Sequence, residues 1–78
     1  MRVLVRYFAV LREQRGCEDE AVDVAEGRTV GELYAELFPA GPQGALPVMY
    51  AVNLSYVGAG HVLKDGDEVA FVPPLGGG

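Results

Sequence analysis

One stretch of the chain, TVGELYAELF at Thr29–Phe38, carries a full set of helix signals, and it constrains everything around it. Thr29-Val30-Gly31-Glu32 has the form of a capping box. In such a box the Thr29 hydroxyl accepts from the Glu32 amide while the Glu32 carboxylate reaches back to the Thr29 amide. Behind it, Val30, Leu33, Tyr34, Leu37 and Phe38 recur at helical spacing and put one apolar stripe toward a core. Pro39 stops the helix. A helix of about nine residues with a single apolar stripe packs across a small mixed sheet, which is an α+β arrangement.

The flanking segments supply that sheet. Arg2 to Phe8 alternates: Val3, Val5 and Tyr7 form a core face, and Arg2, Leu4, Arg6 and Phe8 form a mixed face that suggests partial cover by a neighbouring element. Ala9 to Arg15 reads as a short helix closed by Gly16 in the left-handed conformation. Glu20 to Val24 alternates again, with Val22 and Val24 inward, as a second strand antiparallel to the first. After the connector at 40–47, Val48 to Asn53 is an apolar run suited to a strand buried on both faces. Leu54 to Val57 either continues it or forms a short further strand. Lys64-Asp65-Gly66-Asp67 is a turn. Glu68 to Val72 is the last strand, with Val69 and Phe71 on one face and Ala70 and Val72 on the other. The first and last strands are the most hydrophobic elements at the two ends of the chain. Central, adjacent, parallel placement with a right-handed helical crossover buries both. The predicted fold is the ubiquitin-like β-grasp: four to five strands, one main helix and one short helix. A domain over residues 1–74 precedes a flexible Gly-rich tail at 75–78.

Composition narrows the function. Seventy-eight residues, half of them hydrophobic, allow one globular domain with one modest core. A single Cys excludes an internal disulfide and a Cys-rich metal site and fits a reducing, cytoplasmic setting. The opening MRVLVRYF lacks the apolar run of a signal peptide, and no stretch approaches the roughly 20 apolar residues of a membrane span. A net charge of −5 argues against nucleic acid as a partner. Four of the six basic residues, Arg2, Arg6, Arg12 and Arg15, fall in the first fifteen positions. They form either solvated strand and helix faces or a local basic patch for an acidic partner.

No internal constellation can run a reaction. His61 is the only histidine, so no multi-histidine metal site exists, and it reads as a solvated loop residue. Cys17 precedes Glu18-Asp19-Glu20, unlike the electropositive setting of reactive thiolates. Asp65, Asp67 and Glu68 lack the ligand spacing of a calcium loop. Gly58-Ala59-Gly60 precedes no helix and makes no phosphate cradle.

The chemistry therefore points to the ending, EVAFVPPLGGG. Six residues from Pro73, fully extended, reach about 20 Å. The prolines hold their part extended, and the glycines can thread a narrow channel because they carry no side chain. An unhindered carboxylate at Gly78 suits an enzyme that adenylates a carboxylate and exposes the acyl group to a sulfur or nitrogen nucleophile. The plain alternative is a frayed terminus.

Several stretches resemble one family, the small, sulfur-carrying subunits of molybdopterin synthase. VLVRYFAVLREQRG is similar to that family's strand followed by F-A-x-x-R-E and a glycine, and TVGELYAEL to its capped helix. AVN and LKDGDEVAFVPPLGGG are similar to its closing segment. The loop after the helix is short, and Gly76 stands where a polar or small residue is common. The resemblance implies a cycle whose catalytic groups lie on partners. An E1-like activating enzyme would adenylate Gly78 using ATP and Mg²⁺, and a sulfur donor enzyme would convert it to a thiocarboxylate. The tail would then enter the large synthase subunit and donate sulfur to cyclic pyranopterin monophosphate. The chain itself would bind no cofactor. Gly78 would carry the sulfur, Gly76 and Gly77 would give passage, and Pro73, Pro74 and Leu75 would aim and anchor the tail. Phe8, Arg12, Phe71 and Val72 would form the docking surface. Core packing stands equally open for Phe8 and Val72 and is the stronger reading for Phe71. Rival readings are a sister carrier for thiamine or tRNA thiolation, a ubiquitin-like protein modifier, and an inert interaction module.

Overall fold

The alternation at the N-terminus becomes strand β1, Arg2–Tyr7, and the apolar run near the C-terminus becomes β5, Glu68–Val72; the two pair in parallel at the centre of the sheet. A computed structural model describes residues 1–40 and 46–73. Between β1 and β5 lie α1 (Ala9–Arg15), β2 (Asp19–Asp23), α2 (Val30–Leu37), β3 (Met49–Val52) and β4 (Ser55–Val57). The sheet order is β2-β1-β5-β3-β4, with antiparallel pairing everywhere except β1 on β5. This is the expected ubiquitin-like β-grasp, and Leu54–Val57 resolves as a turn residue followed by a separate strand.

The core follows from register. Val5 pairs with Val69 and Tyr7 with Phe71, while Val52 and Tyr50 continue the same face on β3. Val30, Leu33, Tyr34 and Phe38 of the α2 segment close over it. Tyr34, Phe38 and Phe71 pack with ring centroids 5.1–6.3 Å apart, at the separations favoured by aromatic pairs. The capping box forms as expected: Glu32 N–H donates to Thr29 Oγ1 at 3.2 Å and Thr29 N–H donates to Glu32 Oε1 at 2.9 Å. Gly16 closes α1 at φ 76°, donating to the Arg12 carbonyl at 2.9 Å.

Two expectations need correction. Met49 is 54% exposed, so β3 is not buried on both faces. The mixed face of β1 is likewise uncovered: Arg2 and Arg6 are exposed and Leu4 is half-buried. Both departures have one cause. Among the described residues the helical layer lies on one side of the sheet, so the opposite face meets solvent.

At the far end, the buried Asp67 carboxylate accepts from Asn53 Nδ2 at 2.9 Å and from the Lys64 amide at 2.8 Å. Asn53 also accepts from the Glu68 amide at 3.0 Å and donates its own amide to the Glu68 carbonyl at 2.8 Å. The β3–β4 turn is thus tied to the start of β5, and a buried carboxylate is satisfied on both oxygens.

Candidate functional site

Parallel pairing brings the ends of β1 and β5 together, so the residue after Tyr7 and the residues after Phe71 share one pole of the molecule. Phe8 leaves β1 as the N-cap of α1 without a side-chain capping bond. Ala9 then takes φ 50°, a left-handed conformation rare for a residue with a Cβ, which turns the chain abruptly into α1. Phe8 is left 44% exposed. Val72 is half-buried on the uncovered face and pairs with Met49. Pro73 is buried and marks where the chain leaves the sheet. Pro74, Leu75, Gly76, Gly77 and Gly78 lie outside the described residues.

Arg12 stands on the exposed side of α1, 3.3 Å from Glu18. Beside it a cavity of about 170 Å³ is lined by Arg6, Tyr7, Phe8, Arg12, Glu18 and Asp19. The cavity carries both signs of charge. Every one of the four N-terminal arginines has an acidic neighbour: Arg2 with Asp23 at 3.0 Å, Arg6 with Glu68 at 3.4 Å, Arg12 with Glu18, and Arg15 with Glu20 at 2.5 Å. The clustering seen in sequence is therefore a set of solvated ion pairs rather than an uncompensated basic patch. Exposed pairs of this kind contribute about 0–1 kcal/mol each.

The firmest polar unit at this pole joins β1, α1 and β2. The Tyr7 hydroxyl donates to Glu20 Oε1 at 2.6 Å, and Arg15 donates to the same oxygen from Nε at 3.1 Å. The Arg15 guanidinium also lies 5.8 Å from the Tyr7 ring centroid. Burial, then the bond to Glu20, push the Tyr7 phenol above its usual range. The Tyr7 hydrogen bond, with help from Arg15, holds the Glu20 carboxyl below its usual range. Leu11 alone of α1 is buried and anchors the helix in the core, while this cluster ties its last turn to β1 and β2.

Of the four candidate docking residues, Phe8, Arg12 and Val72 reach the surface at this pole. Phe71 does not: it is fully buried, because alternation along β5 places it on the helix-covered face. Sequence reasoning missed Met49, which extends the exposed apolar strip from Val72. Reading Val48–Asn53 as wholly buried hid it, although Met49 and Ala51 alternate with Tyr50 and Val52. Among the described residues, no group of three His, Cys, Asp or Glu side chains is placed to hold a metal ion, and no helix is long and apolar enough to cross a membrane.

The ThiS family pattern matches residues 5–78. The molybdopterin synthase sulfur carrier subunit of Chlamydomonas reinhardtii is 36% identical over 83 aligned positions, covering all of both chains. Among solved structures, small archaeal modifier protein 1 of Haloferax volcanii superposes with a TM-score of 0.79 at 27% identity, over 95% of this chain and 98% of that one. A protein–protein complex of subunits 1 and 2 of molybdopterin-converting factor from Helicobacter pylori contains a chain that superposes with a TM-score of 0.64 at 26% identity, over all of both chains.

Proposed function

The chain belongs to the ThiS family, and on that premise we propose that it is a sulfur carrier of molybdenum cofactor biosynthesis whose cargo is held at Gly78. The observation that carries the reading is the exit of the chain from β5. The strand is paired on both sides, is anchored by Phe71 in the core, and is followed by a buried Pro73 at the same pole as Phe8. The root of the terminal segment is therefore held in place before any partner binds, which lowers the ordering cost of docking at that point.

In the proposed cycle the Gly78 carboxylate attacks the α-phosphorus of ATP on an activating enzyme, with Mg²⁺ assisting, and pyrophosphate leaves. Sulfide-level sulfur from a donor enzyme then displaces AMP and leaves a thiocarboxylate. The tail enters the large synthase subunit, where the sulfur attacks the cyclic pyranopterin monophosphate precursor. Gly76 and Gly77 pass the channel, while Pro73, Pro74 and Leu75 set its direction. Phe8, Val72 and Met49 supply apolar contact, and Arg12 supplies a polar rim, in the manner of an interface with an apolar centre. The known complex of subunits 1 and 2 of molybdopterin-converting factor supports a large-subunit partner for this chain.

The test is intact mass spectrometry after incubation with the activating enzyme, ATP and a sulfur source. Exchange of one oxygen for sulfur, localised to Gly78, is expected; its absence in the presence of a competent activating enzyme would sink the proposal. A second reading, covalent modification of other proteins, is favoured by the likeness to small archaeal modifier protein 1. Gly-Gly remnants of this chain on lysines of other proteins would support it.

A further inference from the structure

The two edges of the sheet are built differently. β2, on one edge, reads DEAVD, with Asp19, Glu20 and Asp23 along it, and charge of this kind discourages pairing with another strand. β4, on the other edge, is Ser-Tyr-Val and carries none. It lies within the longest uncharged run of the chain: from Leu37 to Leu63 there is no Asp, Glu, Lys or Arg, in a protein of net charge −5.

The turn that precedes β4 is strained and exposed. Val52 pairs with Ser55, so Asn53 and Leu54 form a two-residue turn, at φ 51° and 69°. Such turns favour Gly at the second position. Leu54 stands there instead and is 92% exposed. On the other side of Tyr56, Gly58 has nothing within 4 Å of where a Cβ would sit. The edge thus shows an uncovered leucine two residues before Tyr56 and an empty space two residues after it.

The register fixes which backbone groups are free. The pair closing a two-residue hairpin is a hydrogen-bonded pair, and hydrogen-bonded and non-hydrogen-bonded pairs alternate along an antiparallel ladder. Val52–Ser55 is the closing pair and Ala51–Tyr56 the next. The amide and carbonyl of Tyr56 therefore point away from β3.

We propose that β4 is a self-association edge, pairing antiparallel with β4 of a second copy about a two-fold axis at Tyr56. The two Tyr56 residues exchange a pair of backbone hydrogen bonds. Leu54 of each copy covers the open space at Gly58 of the other, because pairing centred on Tyr56 sets position 54 opposite position 58. Such an isologous contact needs no complementarity beyond what one edge already holds. Charge selects the same occupant: two copies of net charge −5 repel at any face that carries acid groups, and this edge carries none. The partner is therefore another copy rather than a charged peptide. β4 lies three strands from β1 in the sheet order, roughly 14 Å at the usual strand spacing. The pole bearing Phe8 and Pro73 stays open in the dimer, so the proposal stands apart from the sulfur chemistry.

Sedimentation equilibrium of the full chain from about 10 µM to about 1 mM, a range that reaches weak dimers, tests it. The average mass should rise from one copy to two. Raising salt should leave the dimer intact or strengthen it, since only repulsion is screened. Exchange of the Tyr56 amide with solvent deuterium should slow as concentration rises. Leu54→Gly, which relieves the backbone strain and so keeps the fold, should weaken the dimer at least tenfold. Gly58→Glu, placed in open space, should leave a monomer. A native chain that stays monomeric throughout, even if its β4 edge binds an extended peptide from another protein, overturns the proposal. So does a dimer that dissociates with salt or is indifferent to both substitutions.

Discussion

The amide of Gly31, in the first turn of α2, donates to the carbonyl of Ala59 at 2.9 Å, and a Cβ built on Gly31 would lie 2.9 Å from the Ala59 Cβ and 3.0 Å from its oxygen. Val30 donates in the same way to His61, and Leu63 to Arg28. The segment after β4 thus satisfies amides that the start of a helix otherwise leaves without partners. The backbone at position 31 fits only without a side chain.

Gly31→Ala therefore runs against helix propensity. Alanine in a helix is favoured over glycine by about 1 kcal/mol, yet here the methyl meets backbone and must push the 58–61 segment away. We expect a net loss of about 1–3 kcal/mol, the range for overpacking. Urea denaturation checks this. A variant more stable than the native chain would show that the loop yields freely.

Acid and alkali should act on the Tyr7–Glu20–Arg15 cluster with opposite logic. The folded-state pKa of Glu20 is lowered from an ordinary value of 4.5, so its contribution is present above that value and is lost as pH falls through the folded value. The folded-state pKa of Tyr7 is raised, so its contribution is intact below an unfolded value of about 10 and declines above it. Glu20→Gln should flatten the acid limb of a stability–pH profile, and Tyr7→Phe the alkaline limb. Profiles that keep both limbs in both variants would place the titrating groups elsewhere.

The fold was legible where local pattern and tertiary demand agree. Val3, Val5 and Tyr7 alternate because one face of β1 is buried, and Thr29 and Glu32 announce their helix because the bonds that cap it are local. The ends Gly16 and Pro39 are local for the same reason. Exposure of the second sheet face was not legible, since Met49 and Ala51 are apolar whether or not a helix covers them. Neither the positive φ of Ala9 nor that of Leu54 leaves a mark in residue type, because glycine is the usual signal and is absent from both places. The arginine cluster misled in a different way: Asp23 and Glu68 come near Arg2 and Arg6 only through the sheet register, and the turn between α1 and β2 folds Glu18 and Glu20 back onto Arg12 and Arg15.

Two phenylalanines matched to the docking surface should separate cleanly. Phe71 is fully buried among Tyr34, Phe38 and Tyr50, so Phe71→Ala should cost about 3–5 kcal/mol of stability. Phe8 is 44% exposed at the pole where the chain leaves the sheet. Phe8→Ala should change stability by less than about 1 kcal/mol while weakening binding to the large synthase subunit tenfold or more, as loss of an aromatic anchor does. Thermal unfolding and calorimetric titration read the two effects independently. Equal binding by the Phe8 variant would remove Phe8 from the interface.

Ala9 offers a sharper test of how this pole is prepared for a partner. A left-handed conformation costs a residue with a Cβ roughly 1–2 kcal/mol, and glycine avoids that cost at some expense in unfolded-chain entropy. Ala9→Gly should therefore raise the stability of the free domain by up to about 1 kcal/mol, a shift of roughly 4–8 °C in Tm for a domain of this size. Glycine also widens the conformations open to the junction between β1 and α1, on which the direction of Phe8 and the placement of Arg12 depend. Affinity for the large subunit should then fall by about two- to tenfold as the added freedom is lost on docking. A more stable, weaker-binding variant would mean that the strain at Ala9 serves preorganisation. If Ala9→Gly gains stability and binds as tightly as before, the left-handed turn is only a way of starting the helix, and Phe8 is held by packing alone.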